Sequence, residues 1–543
     1  MILSYTDKTI PGRYIIIMKR KPLKFEDLTL EQKLGMMLVR RSAFIDDEDI
    51  EFTLEMIKKH AVGGIQLAPN PELMKRIDEV LDYPLLICYD METGYPGGNV
   101  RHPALIALGA VNDEEMIYQN AYLTALEAKK AGYNTIWGPV VDACNEGALC
   151  CISRTFGDDH KFIAKYAKAI VKGYSDAGVI ATCKHYPSPY GGKDDSHMRS
   201  FPSKLTTQEL ENTSLLPYLE VMNSVGLPAI MTIHTVFENI DPDFPATLSS
   251  KVISLIREKG FDGVIFTDSL AMMAIVHEYG DVGSIGMAAA AGCDLILPNY
   301  RLSYKQSYEA IKEAYEKGIL TEERLNESVK RVLKAQEFTL KMPDDDFKNV
   351  EERHIEVVEK LTEKSLCFLD RANVGPALPK DGKKLFVLSS EMTYPYDSEE
   401  SKELLKMNSH SYEKVLEHKR RILEEFPDAE VIIISEYPNQ TQNERVLDAA
   451  AHADHTIFFT FCLMSSYVGS DAITDRLEYL INSCDNVSAV FHVGNPYEAK
   501  KFKNAQRIFV GHDGGDYLGF TLKALKGEFT PTGKLPVKFN IDD

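Results

Sequence analysis

Short apolar runs of strand length recur along roughly the first 300 residues, separated by stretches with helical spacing. The runs are 63–68 (GGIQLA), 84–90 (PLLICYD), 133–142 (YNTIWGPVVD), 179–186 (VIATCKHY), 229–235 (AIMTIHT), 263–268 (GVIFTD) and 294–299 (DLILPN). Residues 114–131, 160–177, 207–225 and 249–259 between them carry apolar positions three and four apart, as one face of a helix requires. A further helix is predicted over 26–40, with Thr29 as N-cap and Gln32 three residues later. Helices at 303–316 and 321–338, the second capped by Thr321, close this region. Unbroken apolar strands alternating with amphipathic helices predict a parallel sheet covered by helices. About seven such units in this length fit a (β/α)8-type TIM barrel, with an open doubly wound sheet as the alternative.

A polar stretch, KMPDDDFKNVEER (341–353), reads as a linker. The alternation then restarts with 384–389, 430–435, 456–461, 487–493 and 507–510, separated by helical segments at 412–425, 442–451 and 472–483. This predicts a smaller three-layer α/β sandwich domain. The expected plan is an N-terminal extension (1–25), a barrel (26–340), the linker (341–353) and the second domain (354–543). That second domain is expected to buttress the barrel, to line its entrance or to mediate a homodimer.

Composition narrows the partners. A formal net charge of -20 argues against a nucleic-acid backbone as partner, since phosphate binding needs clustered Lys and Arg. The nine cysteines are scattered, several inside apolar runs, and no C-x-x-C pair occurs; buried thiols in a reducing compartment are expected, and no structural zinc. The apolar patch 14–18 precedes its basic residues, the reverse of a signal peptide, and no run approaches the about 20 apolar residues of a membrane span. The expected location is the cytoplasm, with no membrane partner. The Gly-rich turn at 511–515 lacks phosphate-cradle spacing, and no cofactor is expected.

The ends of the apolar runs carry the chemistry. In a barrel of this class the site lies at the C-terminal ends of the strands. There stand Asp90 (with Glu92 following), Asp142, Lys184-His185, His234 and Asp268, and Arg154 lies on the loop after Asp142. Capping of the following helix is the plain alternative for Asp142 or Asp268 taken singly. A loop rich in Pro and Gly then returns Asp195 and His197 two residues apart. Asp268 on a buried strand stays ionised if Lys184, Arg154 or His185 faces it, and Asp195 can orient the His197 imidazole. A carboxylate nucleophile paired with a general acid is the outfit of a retaining glycosidase. Metal binding by His185, His197 and Asp195 is the competing reading, although no H-x-x-x-H spacing occurs on a predicted helix.

These residues resemble glycoside hydrolase family 3, in its β-N-acetylhexosaminidase branch. K-H-Y-P-x(8)-D-S-H (184–197) is similar to that branch's signature loop, and F-D-G-V-I-F-T-D-S-L-A-M (261–272) resembles its nucleophile segment. P-L-L-I-C-Y-D-M-E-T-G (84–94), W-G-P-V-V-D (137–142) and S-R-T-F-G-D-D (153–159) also fit, as do 28–38 and 291–297. The resemblance implies Asp268 as nucleophile and His197 as general acid/base with Asp195 as its partner. It implies that Asp90, Arg154, Lys184 and His185 hold a sugar; Asp142 is a further sugar-site candidate, and Arg101 is the candidate for the family's arginine after D-x-E-G-G. The departures are Ser188-Pro189-Tyr190 in the loop, Ser269 for a second Asp and Thr93 for a Gly. The expected activity is that of a retaining exo-β-N-acetylglucosaminidase acting on peptidoglycan- or chitin-derived oligosaccharides. The alternatives are a family β-glucosidase or β-xylosidase, a phosphorylase, and a silent sugar-binding protein.

Overall fold

The computed structural model describes residues 20–41, 44–146, 152–188, 202–345, 347–390, 412–462, 464–465, 468–469, 472–512 and 514–539. Asp195 and His197, and with them the acid/base expectation, lie outside the described residues. The chain divides into two units. Unit 1 comprises Met1–Arg101, Asp113–Cys144 and Asp159–Val357; unit 2 comprises His102–Asn112, Asn145–Asp158 and Val358–Asp543.

Unit 1 is built on a curled, wholly parallel seven-stranded sheet. Its strands are β1 (Val39–Arg40), β2 (Gly64–Gln66), β3 (Leu86–Asp90), β4 (Thr135–Trp137), β5 (Ile180–Tyr186), β7 (Ala229–Thr232) and β9 (Val264–Phe266), in that order across the sheet. Two short pieces, β6 (Pro202–Ser203) and β8 (Val236–Phe237), pair separately. The alternation of apolar strands with amphipathic helices delivers this arrangement, because a helix with one apolar stripe buries it against the sheet. In His160–Asp176, for example, Ile163, Tyr166, Ala167, Ile170, Val171 and Tyr174 form one buried stripe, and Asp159 caps the first turn through Lys161 N–H and Phe162 N–H.

Three expectations in unit 1 are corrected. The 26–40 helix stops at Gly35, after the predicted Thr29–Gln32 capping box, and Val39–Arg40 is strand β1. The 207–225 helix is two helices, Thr207–Asn212 and Leu216–Ser224, because Pro217 lacks the N–H a continuous helix needs and sits in the second helix's first turn. The 294–299 run forms no strand. Single parallel bridges, Phe266↔Leu295 and Leu38↔Ile296, set it against both β9 and the residue before β1. Side chains take over ladder hydrogen bonds here: Asp294 Oδ2 accepts from Ile265 N and Thr267 Oγ1 accepts from Leu297 N, both at 2.9 Å.

Gly35 marks a close backbone approach in this region. A Cβ added there would lie 2.0 Å from Ala61 O. Gly35→Ala is expected to destabilise unit 1 by about 2 kcal/mol, because the overpacking cost exceeds the about 1 kcal/mol of helix propensity gained. Gly283, in the first turn of helix Gly283–Ala291, has nothing within 4 Å of its added Cβ. Gly283→Ala should therefore be neutral or stabilising. Denaturant midpoints of the two variants check the contrast, and equal shifts would refute it.

Unit 2 is a mixed sheet ordered β10 (Cys367–Asp370), β17 (Arg507–Gly511), β16 (Val487–Gly494), β13 (His455–Cys462), β11 (Lys384–Ser390) and β12 (Glu430–Ser435). Only the edge strand β10 is antiparallel; β14 (Met464–Ser465) and β15 (Val468–Gly469) form a separate ribbon. The parallel strands are buried on both faces. Leu385 and Val387 belong to one apolar cluster, and Phe386 and Leu388 to the other. The region read as a linker turns helical at Val350, in helix Val350–Ser365.

Among the described residues no helix is long and apolar enough to cross a membrane. Cys88, Cys183, Cys293, Cys367 and Cys484 are buried free thiols, and burial pushes each of them up from the ordinary thiol range.

Candidate active site

The polar residues at the strand ends of unit 1 meet. Lys184, near the end of β5, is buried with its side chain 3% exposed. Its ammonium donates to Asp90 Oδ1 at 2.6 Å and pairs with Glu92 Oε1 at 2.8 Å, joining β5 to the end of β3. A cation deprived of water in this way needs such partners to stay charged. Asp90 is nearly half exposed, so its second oxygen is open to solvent.

The next residue faces another carboxylate. His185 Nδ1 lies 2.7 Å from Asp142 Oδ2, and His185 N–H donates to Asp142 Oδ1 at 3.0 Å. A carboxylate accepts, so Nδ1 carries a proton and the ring is fixed in orientation. Both Asp142 oxygens are committed to His185, so Asp142 orients the imidazole instead of capping a helix. Nε2 of the same ring points at Asp268 Oδ2, 3.9 Å away.

Asp268 follows β9 by two residues. Its Oδ1 accepts Ser269 N–H at 2.6 Å. Burial raises its carboxyl, but His185, His234, the Ser269 N–H and Lys184 outweigh that, and the result lies below the usual carboxylate range. Asp268 is therefore ionised at neutral pH, with its side chain 20% exposed. Ser269 is held in turn: its hydroxyl accepts from Arg41 Nη1 at 2.8 Å, and its carbonyl lies 3.0 Å from His234 Nε2.

Five sequence-predicted residues of unit 1, Asp90, Asp142, Lys184, His185 and Asp268, thus form one hydrogen-bonded and electrostatic cluster. Arg101 does not join it through any hydrogen bond the structure records. Its guanidinium reaches carbonyls of its own loop, Gly94 O at 3.5 Å and Pro96 O at 3.3 Å. Arg154 belongs to unit 2, where it is half-buried. Arg41 was missed, as were the partners of Glu92 and His234. The D-x-E spacing from Asp90 was the available signal for Glu92; Arg41 was hidden because β1 was read as helix. Among the described residues no group of three His, Cys, Asp or Glu is placed to hold a metal ion.

An ionised carboxylate beside a buried ammonium and two imidazoles at the C-terminal ends of a curled parallel sheet is an arrangement that suits glycoside hydrolysis. Residues 29–335 match the glycosyl hydrolase family 3 N terminal domain, so the chain belongs to glycoside hydrolase family 3. A β-hexosaminidase from Xylella fastidiosa (strain M23) is 31% identical over 264 residues, 45% of this chain and 78% of that protein. One from Pseudomonas aeruginosa (strain LESB58) is 33% identical over 274 residues, 48% and 81% respectively. The solved family 3 β-N-acetylglucosaminidase of Paenibacillus sp. str. FPU-7 aligns with a TM-score of 0.74 at 26% identity, covering 95% of this chain and all of that one.

Proposed function

We propose that this glycoside hydrolase is a retaining exo-β-N-acetylglucosaminidase, releasing terminal GlcNAc from peptidoglycan- or chitin-derived saccharides. The observation that carries the reading is Asp268, ionised at the end of β9 against His185, His234 and Lys184. The β-hexosaminidase relatives and the Paenibacillus neighbour supply the substrate class. The curled sheet with the 294–297 run is read as a (β/α)8-type barrel.

In this mechanism an Asp268 oxygen attacks the anomeric carbon while His197, paired with Asp195, protonates the departing glycosidic oxygen. The C–O bond to the leaving sugar breaks as the ester to Asp268 forms. Water then attacks the same carbon and gives its proton to His197, which frees GlcNAc and restores Asp268. Lys184 and His185 donate to sugar hydroxyls, and the open oxygen of Asp90 accepts from one. Asp142 acts through His185. Arg101 keeps the role the resemblance implies. The free buried thiols support a reducing compartment, the cytoplasm.

Turnover of aryl β-GlcNAc, β-glucoside and β-xyloside substrates, each with and without inorganic phosphate, tests the assignment. The GlcNAc glycoside should be preferred by about a hundredfold or more in kcat/KM, since losing an acetamido contact leaves buried polar groups unpaired. Phosphate should leave the rate unchanged. Preference for the glucoside, or a rate that rises with phosphate, would sink the hydrolytic GlcNAc reading.

A further inference from the structure

Arg41 is the first residue after β1, and nothing in the proposed chemistry employs it. Its neighbour Arg40 is buried and ion-paired with Asp49 in the helix Asp47–Lys58. Successive side chains of an extended chain point to opposite sides. Arg41 accordingly faces the C-terminal rim of the sheet, half-buried, where Nη1 donates to Ser269 Oγ at 2.8 Å. Ser269 is the residue next to Asp268, and its backbone and hydroxyl oxygen are all engaged. Its N–H donates to Asp268 Oδ1 at 2.6 Å, and its hydroxyl oxygen also accepts Ala271 N–H at 3.3 Å. Its carbonyl accepts from His234 Nε2 at 3.0 Å and from Met272 N–H at 3.1 Å. A hydroxyl oxygen has two lone pairs, so Arg41 and Ala271 fill its acceptor capacity.

The turn at Ser269 sits where the sheet is least regular. The 294–297 run takes a strand's place between β9 and β1. Thr267 N–H and Leu270 N–H donate to Leu295 O and Leu297 O, both at 3.0 Å, and Val39 N–H donates to Ile296 O at 2.9 Å. The Arg41–Ser269 bond is a side-chain link across the same two edges, from the end of β1 to the turn after β9. We propose, taking Asp268 as the nucleophile, that Arg41 is its positioning residue: through the Ser269 hydroxyl it holds the turn that presents the carboxylate. A guanidinium stays charged at every working pH, and a charged donor holds its acceptor more firmly than a neutral one. Ser269 passes that hold on through its own N–H. With Asp268 Oδ1 fixed by this N–H, Oδ2, the oxygen 3.9 Å from His185 Nε2, is the one aimed to attack.

The test is kcat and KM on an aryl β-GlcNAc glycoside for wild type, Arg41→Met, Ser269→Ala and the double variant, with melting temperatures measured alongside. Misplacing a reacting group by about 1 Å costs about a hundredfold in rate, so a shift of a fraction of that should cost about tenfold. Both single variants should therefore lose about tenfold or more in kcat and in kcat/KM together, with KM within about threefold of wild type. The double variant should be no slower than the slower single, because both substitutions break one link. Comparing all four proteins cancels whatever else either side chain touches. A merely structural role would lower the melting temperature and leave kcat of the folded enzyme at the wild-type value. That result would overturn the proposal, as would single losses that multiply in the double variant. A KM that rises with kcat unchanged would also overturn it, since that is the mark of a direct sugar contact. If Arg41→Met does not fold, Ser269→Ala decides, because it removes the hydroxyl and keeps the N–H on Asp268: a kcat within about twofold of wild type then refutes the link. Failure of the nucleophile assignment itself reads out separately, as an active Asp268→Ala.

Discussion

Asp268→Asn is expected to cut kcat on an aryl β-GlcNAc glycoside by at least about ten-thousandfold, equivalent to about 5.5 kcal/mol of transition-state stabilisation. The substitution is nearly isosteric, and the amide oxygen can still accept Ser269 N–H, so the fold around β9 should survive. What disappears is the charged oxygen that attacks the anomeric carbon in the proposed mechanism. The pH behaviour sharpens the test. The Asp268 carboxyl lies below its ordinary value when folded, so its ionised form contributes stability that is fully present above the unfolded value of about 3.9 and lost as pH falls through the folded one. Wild type should lose both activity and this stability increment on the acid side, whereas the Asn variant lacks the increment at every pH. A smaller variant adds a chemical signature. In Asp268→Ala, azide supplied in solution should enter the vacated space, attack the anomeric carbon and restore turnover as an α-glycosyl azide. A near wild-type rate in Asp268→Asn, or a β-configured azide product, would remove Asp268 from the nucleophile role.

Why Asp268 could be found in the sequence while some of its neighbours could not has a physical explanation. The β3, β5 and β9 runs are continuous apolar segments that end abruptly in charge, and an uninterrupted apolar strand is what burial on both faces demands. Their terminal residues, Asp90, Lys184-His185 and Asp268, could therefore be read directly. β1 could not, because Met36–Val39 continues the apolar positions of the capped helix before it and the strand is only two residues long. The residue just after it, Arg41, which steadies Ser269, was lost with it. The antiparallel edge β10 was hidden in the same way behind the helix Val350–Ser365. Asp142 shows a different limit. Its position at the end of a run was legible, but its engagement of both a ring nitrogen and a backbone N–H of His185 depends on a contact 43 residues away, which no local pattern encodes. Glu92 and His234 are similar: their types and places were visible, and their partners were supplied only by the curl of the sheet.

Lys184→Met should be the second most damaging substitution in the cluster, acting on binding and stability together. The ammonium is ion-paired with both Asp90 and Glu92, at 2.6 and 2.8 Å. Methionine fills much of the same volume but leaves the two carboxylates facing each other without it, which favours protonation of one of them. Removing one member of a fully buried pair costs about 3–5 kcal/mol, but water reaches the half-exposed Asp90, so a loss of about 2 kcal/mol is expected here. The catalytic loss should be larger than the stability loss. In the proposed mechanism a charged donor to the sugar is removed and Asp90 loses the partner that aims it, so kcat/KM should fall by about a hundred- to a thousandfold, or about 3–4 kcal/mol. Lys184→Arg separates the two effects, since it restores the charge but not the compact geometry of the ammonium. Arg should recover most of the melting temperature and little of kcat/KM. Glu92→Gln supplies the complementary check, because it removes the excess negative charge that Lys184→Met exposes. The double variant Lys184→Met/Glu92→Gln should be more stable than Lys184→Met alone. If it is instead less stable by the sum of the two single losses, the carboxylates do not interact through Lys184, and the paired arrangement at the end of β3 is not what holds the site in shape.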